Sequence, residues 1–591
     1  MSRPLGRIFR HLESDLDAAS MNIHPEVYLS IIGFASILSL IIPATILMVS
    51  VAIGGFIGFT VFPTNLLMNA PMSVRIISIA CIMLTPFITI FIGGIVPKVA
   101  ASNRTSKLKN EIPYASMYMS VMTSGGLSPY NSLIRMTDID LLPTLQQEMR
   151  RLEVLVLSSG SDPISGMERA AKVINLKEYK GLLLGYASTV RRGGDVLHYL
   201  YNQTDSMFEG LSIRIKTMGE HFGMLMESNI IISILGALGL IMIFVVSLAL
   251  PVAGMKFSVI QFYLFSFVLL PIISIFFIYI GDTMQIGSPT SSWKAYKYAL
   301  LGLPLGVYII LETTVSSLFD IKLLFPSILN SLRYLVKVLN LGDGTEAGLG
   351  LALGLLSISV PGMISDWYIA GRDKKVFEGI TAFIRDIVET RKTGISPEQC
   401  IIALSEKDYG AFSPHLKLIS LRLKWGLPLR QIFEDFKRKV NNWLSKITIY
   451  FLIDTIEIGG GSEESLETLA EFVEKTHHME QERRGLLMPL SIIPYIGATL
   501  LTSTTVILLN FFSSMTAMGG FGIPYIMLNK VLLTPLFLHS FILGLVSGKL
   551  GASGRISAGF LHSTILIVIS AMGIWVAANF LTAQLGPVLP K

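Results

Sequence analysis

Two short runs carry the residue types of nucleotide or metal chemistry, but their spacing fits neither. Gly544-Leu-Val-Ser-Gly548-Lys549-Leu550 approaches a phosphate-binding loop, yet its spacing is wrong and it lacks the Ser or Thr that would hold magnesium. His477 and His478 are adjacent, so they point roughly 100° apart on a helix, and the i, i+4 histidine pair that binds one metal ion is missing. We therefore predict no catalytic residue, no cofactor and no metal, and a protein that is not an enzyme.

Glycine-rich turns are a second kind of candidate site. Gly193-Gly194 and Gly459–Gly461 follow no predicted strand, which favours turns between helices over phosphate cradles. Arg191, Arg192 and Asp195 place charges on the first of these turns. Exposed connections often carry function, so these charges suit a partner's surface as well as they suit solvent.

A basic run in the second half of the chain is denser in cations than its surroundings. Its members are Lys417, Arg422, Lys424, Arg430, Lys437, Arg438 and Lys439. The run suits an acidic protein surface or anionic lipid headgroups, and a solvated amphipathic helix explains it as well.

Glu312 lies inside an apparent membrane span, where a carboxylate is costly and indicates function by default. It could pair with a charged group on an incoming partner or take part in a proton pathway. The alternative is that Glu312 lies near the membrane boundary, where a carboxylate needs no functional explanation. His539 and His562, in the last two spans, are candidates for a mutual hydrogen bond with a structural role.

The composition requires a second solvent besides water. The chain has 591 residues, of which 51% are hydrophobic and only 15% charged, and its mean hydropathy is +0.61. Soluble chains carry nearer a quarter charged residues, so long apolar helices in lipid are expected. The net charge of +6 is small for this size and indicates positive loops at a membrane rather than a nucleic-acid partner. Two cysteines support neither a disulfide framework nor a zinc site.

The apolar pattern predicts an all-α, polytopic membrane protein of about nine transmembrane helices. The predicted spans are 27–62, 76–96, 230–250, 259–280, 299–318, 348–364, 486–509, 526–545 and 560–581. Arg and Lys in the short loops place the N-terminus and both large polar blocks in the cytoplasm, in a multi-pass protein of the cell membrane. The loop with Lys322, Arg333 and Lys337 contradicts this, and counting 27–62 as two spans would move the N-terminus outside. Small-residue pairs such as Gly350 and Gly354 permit close helix packing.

We expect five segments along the chain. They are an N-terminal cytoplasmic segment with the first spans (1–97), a first cytoplasmic helical domain (98–228), central spans (229–366), a second, homologous helical domain (367–485) and C-terminal spans (486–591).

The homology rests on three turn motifs that recur in the same order. Gly126-Leu-Ser-Pro129 matches Gly394-Ile-Ser-Pro397 at a separation of 268 residues, Gly160 matches Gly426 at 266, and Gly193 matches Gly460 at 267. Each motif is a glycine-broken connection followed by a residue that opens the next helix. A nearly constant separation indicates an internal duplication.

This duplicated pattern resembles the tandem type II secretion F-domain family, and within it the archaeal platform proteins of type IV pili and archaella. The resemblance implies a scaffold in the lipid bilayer that binds a hexameric secretion ATPase and engages pilin or archaellin subunits, and a homodimer is compatible with it. The residues that we predict to contact the ATPase are Gly126, Pro129, Arg191, Arg192, Asp195, Gly394, Pro397, Lys437, Arg438, Gly460 and Glu463.

The predicted function is an integral membrane platform for assembly of an archaeal type IV pilus-like filament, with an archaellum platform as the alternative. A secondary transporter is the alternative from another class, and its signature is inverted membrane repeats with broken helices. The repeat found here lies in the polar blocks instead. A membrane enzyme would need a nucleophile–base or metal constellation that the sequence lacks.

Overall fold

The computed structural model describes residues 12–19, 21, 23–57, 72–160, 162–174, 176–249, 257–286, 293–319, 326–517, 525–551 and 553–581, and all regular elements among them are helical. The first ten helices are α1 (Leu12–Ala18), α2 (Pro25–Ile57), α3 (Met72–Ser124), α4 (Pro129–Arg135), α5 (Pro143–Ser159), α6 (Pro163–Val173), α7 (Lys177–Arg191), α8 (Val196–Ala249), α9 (Val259–Met284) and α10 (Lys294–Leu318). The remaining helices are α11 (Pro326–Val338), α12 (Glu346–Arg391), α13 (Pro397–Leu404), α14 (Ser413–Lys424), α15 (Leu429–Lys439), α16 (Trp443–Gly459), α17 (Glu463–Leu487), α18 (Ile493–Ala517), α19 (Tyr525–Leu550) and α20 (Gly559–Val576).

The prediction of an all-α polytopic membrane protein is confirmed. Among the described residues, eight helices are long and apolar enough to cross a membrane, and they correspond to eight of the nine predicted spans. The ninth, 27–62, is described only in part, within α2. Lys322, which entered the topology prediction, lies outside the described residues, and so do the N-terminal arginines Arg3, Arg7 and Arg10.

Four stretches run from polar into apolar sequence without a break. They are α3 with 53 residues, α8 with 54, α12 with 46, and Glu463–Phe512, in which α17 continues into α18, with 50. At 1.5 Å per residue each is roughly 70–80 Å long, more than twice the thickness of a bilayer's hydrocarbon core. In each of these four stretches, the apolar span is therefore continuous with a helix of a polar block.

The chain divides into two compact units. One contains residues 1–112 and 142–194, and the other contains residues 113–141 and 195–591. The boundaries of these units fall within the predicted domain 98–228.

The first unit holds α5 against α3 through two buried carboxylates. Glu111 accepts hydrogen bonds from the backbone N–H groups of Leu145 (2.7 Å) and Thr144 (3.4 Å), so it caps the start of α5. Burial raises the pKa of Glu111, and these hydrogen bonds offset part of that rise. Glu148, one helical turn later, pairs with Arg104 of α3.

The second unit contains a membrane bundle built around α19. This helix packs against α8, α9, α12, α18 and α20, and 83% of its apolar stretch is buried. Two hydrophobic clusters fill the spaces around it, one centred on Phe244 and Phe537 and the other on Phe222 and Leu543. Among the spans that the structure describes, the most buried one is therefore α19, which five other helices contact.

Helices α10 and α12 approach each other so closely that glycine is required at their contact. A Cβ on Gly302 would lie 2.2 Å from the Ser357 carbonyl oxygen, and one on Gly306 would lie 2.6 Å from that of Gly354. On Gly354 a Cβ would lie 2.4 Å from Ile310. The close packing predicted at Gly354 is confirmed, and dispersion contacts between backbones hold this pair together.

The glycine contact gives a direct test of the packing. Gly302→Ala should destabilise the protein by about 1–3 kcal/mol because a backbone oxygen cannot move aside for the methyl group. Gly371→Ala is the matched control on α12, with nothing within 4 Å of the added Cβ, and should be neutral or stabilise by up to ~1 kcal/mol. Thermal unfolding of both variants in detergent micelles measures the difference, and a Gly302→Ala protein as stable as the parent would contradict the contact.

Candidate partner-docking site

The glycines that the sequence pairs share one backbone conformation. All six have a positive φ in the left-handed region, which glycine adopts without steric cost. The pairs are Gly126 (90°) with Gly394 (86°), Gly160 (55°) with Gly426 (75°), and Gly193 (67°) with Gly460 (60°). Paired motifs therefore form turns of the same handedness at corresponding points of the two polar blocks.

The helix starts after the first turn also agree. The Ser128 hydroxyl accepts a hydrogen bond from the Asn131 backbone N–H (3.3 Å), and Ser396 caps its helix in the same way through Gln399 (3.4 Å). Pro129 and Pro397 each begin the helix and are buried, whereas Gly126 and Gly394 are exposed. A partner can therefore reach the glycines of these two motifs but not the prolines.

Two turns of the second polar block meet at one end of its helical bundle. The Arg391 side chain donates hydrogen bonds to the carbonyl oxygens of Gly461 (3.0 Å) and Ile395 (2.9 Å). A Cβ on Gly461 would lie 2.5 Å from Pro397. The predicted contact residues Gly394, Pro397 and Gly460 thus lie close together, and Glu463 is exposed beside them.

The charges around Gly193 have local partners. Arg191 forms an ion pair with Glu168 (3.0 Å) but its side chain stays 55% exposed. The Arg192 guanidinium donates to the Ser188 hydroxyl (2.5 Å). The Asp195 carboxylate accepts a hydrogen bond from the His198 backbone N–H (3.0 Å) at the start of α8, so it serves as a helix cap.

Much of the basic run is neutralised inside the second unit. Lys437 pairs with Asp140 and Arg422 with Asp435, and Arg430 lies 3.8 Å from Asp138. Arg438 and Lys439 are exposed at the end of α15. Part of the basic run therefore forms ion pairs within the second unit. Because Lys437 is paired with Asp140, it offers less charge to a partner than the sequence alone indicates.

One exposed surface was missed by the sequence analysis. Helix α14 and the residue after it present a face of mixed cationic and apolar side chains, of which Leu418, Leu421 and Trp425 are 40%, 44% and 70% exposed. The face, called the α14 face below, consists of Lys417, Leu418, Leu421, Lys424 and Trp425. Counted from Lys417, its members lie at i, i+1, i+4, i+7 and i+8, the spacing of one helix face and the signal that could have found it.

Helix α5 has exposed residues at the equivalent positions. Val154 and Leu157 lie 267 residues before Leu421 and Lys424 and are 63% and 74% exposed. Arg150 and Arg151 precede Lys417 and Leu418 by the same separation and are also exposed. Positions of α5 and α14 that are 267 residues apart are therefore exposed in both helices.

His415 is buried beneath the α14 face. Its ring packs edge-on against Phe436, with centroids 5.8 Å apart. Burial lowers the pKa of His415 below its usual 6.5, and the charges of Arg372 and Lys439 lower it further. The imidazole is thus neutral in the folded protein at neutral pH.

The lowered pKa predicts an acid-sensitive helix α14. The unfolded chain binds a proton at His415 more readily than the folded one, so stability is complete above about pH 6.5 and falls as the pH drops below it. We expect the melting temperature of the parent to decrease between pH 7 and 5 more steeply than that of His415→Gln. Parallel curves for the two proteins would show that His415 protonates freely in the folded state.

Helices α8 and α17 pack side by side in one direction and in register. Tyr201 donates to Glu471, Lys475 pairs with Asp205, and Ser212 donates to Glu482 (2.9 Å). All three pairs are 270 residues apart, close to the separation of the turn motifs. An open groove along this seam is lined by Asp205, Phe208, Glu209, Ser212, Lys475, His478, Met479 and Glu482.

A buried carboxylate joins residues 113–141 to α16. Asp454 is 2% exposed and accepts hydrogen bonds from Tyr118 and from the Arg135 guanidinium (3.0 Å). Trp443, at the start of α16, donates its indole N–H to the Leu141 carbonyl (2.8 Å). Gly126 therefore belongs to the same compact unit as the second polar block.

Polar groups inside the bundle are also placed. Glu312 is buried in a π-helical turn, Ile310–Val315, six residues before the end of α10. Near that end, Glu346 accepts hydrogen bonds from the Gly344 backbone N–H (2.7 Å) and from Ser317 (3.3 Å), and Lys530 donates to the Ser317 carbonyl (2.8 Å). A polar cluster thus lies at this end of α10.

The two histidines of the last spans have separate partners, so the predicted bond between them is wrong. His539 shares a hydrogen bond with Ser266 (3.3 Å), and His562 shares one with Tyr495 (2.7 Å). His477 bonds to Gln481 (2.7 Å), one turn along α17. In the part of the chain that the structure describes, no group of three or more metal-ligating side chains is found.

Comparison with known proteins supports the same family as the turn motifs. Residues 383–509 match the family described as type II secretion system (T2SS), protein F. An uncharacterized protein, MJ1286 of Methanocaldococcus jannaschii, is 19% identical to this chain over 517 residues, in an alignment covering 82% of each. No solved structure matches. The matched segment begins in the polar half of α12 and ends in α18, so this F-type match covers most of the second polar block and most of the span that follows it.

Proposed function

We propose that this protein is the membrane platform on which an archaeal type IV pilus-like filament is assembled, driven by a cytosolic hexameric secretion ATPase. The observation that carries the proposal is the F-type segment 383–509, which joins a polar helical bundle to a membrane span. An archaellum is the alternative filament, and pilin or archaellin subunits are the proposed substrates within the bilayer.

We also propose that the first polar block is a second copy of the F domain. The paired glycines share their left-handed conformation, and Ser128 and Ser396 cap their helices in the same way. The exposure of matching positions of α5 and α14, at the same separation of 267 residues, adds support. The in-register contacts of α8 with α17 join equivalent helices of the two blocks.

The α14 face is the proposed docking surface for the ATPase. Exposed tryptophan and leucine between lysines suit a partner surface that combines apolar contact with acidic charge. Gly394, Gly460 and Glu463 form a second proposed contact at the end of the same helical bundle. Both surfaces belong to the cytoplasmic part of the platform in this proposal.

Work done at these surfaces would reach the membrane through continuous helices. α12 and the stretch Glu463–Phe512 leave the docking bundle and enter the bilayer without a break, and α18 packs on the central span α19. ATP binding can move them only if the ATPase contacts two states of the platform with different affinity. The proposal therefore requires nucleotide-dependent affinity at the α14 face.

The docking surface can be tested with the full chain in lipid nanodiscs. Lys417→Glu, Lys424→Glu and Trp425→Ala together should weaken binding of a purified secretion ATPase from the same organism at least tenfold, because an aromatic anchor and two charges are lost. Lys172→Glu with Lys177→Glu reverses two exposed cations of the first unit as a matched control and should leave the dissociation constant unchanged.

Three results would each contradict a different part of the proposed function. Failure of the parent to bind the ATPase would overturn the platform function. Equal weakening by both sets of substitutions would show that only overall charge matters. Unchanged binding after charge reversal at Arg191 and Arg438 would remove those residues from the interface.

A further inference from the structure

The contacts of α10 with α12 define which residues lie at the same depth. Gly302 lies against Ser357, Gly306 against Gly354, and Gly350 against Thr313, so the helices run in opposite directions. Extending this register by two to three turns beyond Gly302 brings Trp293, just before α10, level with Trp367 in the middle of α12. Two chain segments that are distant in sequence therefore share one layer.

Exposed aromatic side chains mark this layer. Trp293 and Trp367 are 70% and 74% exposed, and Tyr298 and Tyr368 are 54% and 65% exposed. Tryptophan and tyrosine concentrate at the headgroup level of membrane proteins, where an apolar ring with a polar tip is best solvated. The layer has the composition of a membrane–water boundary.

Exposed cations lie within this layer and on its polar side. Lys294 and Lys297 lie between Trp293 and Tyr298 in the first turn of α10, and Arg372, Lys374 and Lys375 follow Trp367 on α12 towards the polar side. Two carboxylates belong to the same segments: Glu378 pairs with Lys374 at 3.7 Å, and Asp373 is half-buried. The surface therefore carries a surplus of positive charge.

The interior of the bundle becomes polar at the same depth. Asp366 accepts hydrogen bonds from Ser557 (2.7 Å) and Arg555 (3.3 Å), and Lys549 pairs with Asp282 near the ends of α19 and α9. These pairs engage the buried Asp366 and Lys549, whereas their partners Arg555 and Asp282 are 40% and 65% exposed. On the outer surface, the Lys294 ammonium donates to the Asn441 side chain (3.1 Å) but stays exposed, as do Lys297 and Arg372, so a ligand outside the protein can reach these cations.

The opposite side of the layer is apolar and exposed. Leu300, Leu301 and Leu305 of α10 are 65%, 77% and 56% exposed and lie directly beyond the layer of aromatic side chains. One surface thus passes from cations and interleaved aromatic rings to leucines over about three helical turns. A ligand that covers it needs a negative head joined to an apolar tail.

We infer that this surface of Trp293–Tyr298 and Trp367–Lys375 binds anionic phospholipid, with the phosphate near Lys294, Lys297 and Arg372 and the acyl chains along the leucines of α10. An acidic protein partner would match the cations but not the adjoining leucines, which lie within a membrane span. The inference depends on the membrane bundle alone and holds whether or not the platform function is correct.

The test uses the full chain in detergent, titrated with phosphatidylglycerol or with zwitterionic phosphatidylcholine of the same acyl chains. Native mass spectrometry measures the apparent affinity for each lipid. We expect the parent to prefer phosphatidylglycerol, and Lys294→Gln with Lys297→Gln and Arg372→Gln to reduce that preference at least ~tenfold, since each cation near an anionic headgroup contributes roughly fivefold. Lys294→Arg with Lys297→Arg should keep it.

The control is Lys392→Gln, which removes an exposed cation 20 residues beyond Arg372 on the same helical path. It should leave the lipid preference unchanged. Loss of preference in this control, or its persistence in the triple variant, would overturn the lipid site. Normal lipid preference in the triple variant combined with loss of ATPase binding would identify the surface as a protein interface instead.

Discussion

The structure depends on one constraint: inside a bilayer, the backbone must satisfy its own hydrogen bonds. An unpaired N–H or C=O group in hydrocarbon costs several kcal/mol, so an open connection at membrane depth is excluded. α8, α12 and the stretch Glu463–Phe512 meet this constraint by crossing from polar to apolar sequence as single helices. The same continuity makes each span rigidly dependent on the polar bundle at its other end.

The seam of α8 and α17 adds a second constraint. Two parallel helices held by Tyr201–Glu471, Asp205–Lys475 and Ser212–Glu482 cannot slide past one another without breaking several pairs at once. These pairs are partly exposed and each contributes little alone. Their effect lies in fixing the register, since a displacement of one turn would remove all of them. Asp454, held by Tyr118 and Arg135, fixes residues 113–141 to the same assembly.

Features that depend on neighbouring residues were predictable. Runs of apolar residues predicted the spans. The turns at Gly126 and Gly394 were predictable from Gly, Ser and Pro, because these residues determine the backbone conformation only of their immediate neighbourhood. The division of the chain into two units was not predictable, because it depends on which helices pack together. The ion pair of Lys437 with Asp140 and the separate partners of His539 and His562 depend on residues tens to hundreds of positions away. The α14 face was not predicted for a further reason. In a sequence, a leucine at helical spacing is usually taken as a core residue, and only a structure shows that Leu418 and Leu421 are exposed.

The two equivalent faces differ in chemistry, and this difference bears on the proposed mechanism. Trp425 and Lys424 of the α14 face correspond to Ser158 and Leu157 near the end of α5. A partner that presents the same surface twice would therefore bind the two faces with unequal affinity. In the proposed platform, the two copies of the F domain would therefore not be interchangeable for the ATPase. Unequal affinity for the two faces determines which face is occupied first, whereas movement of the platform requires that the affinity at a face differ between two states of the protein, because a ligand shifts a two-state equilibrium only by that difference.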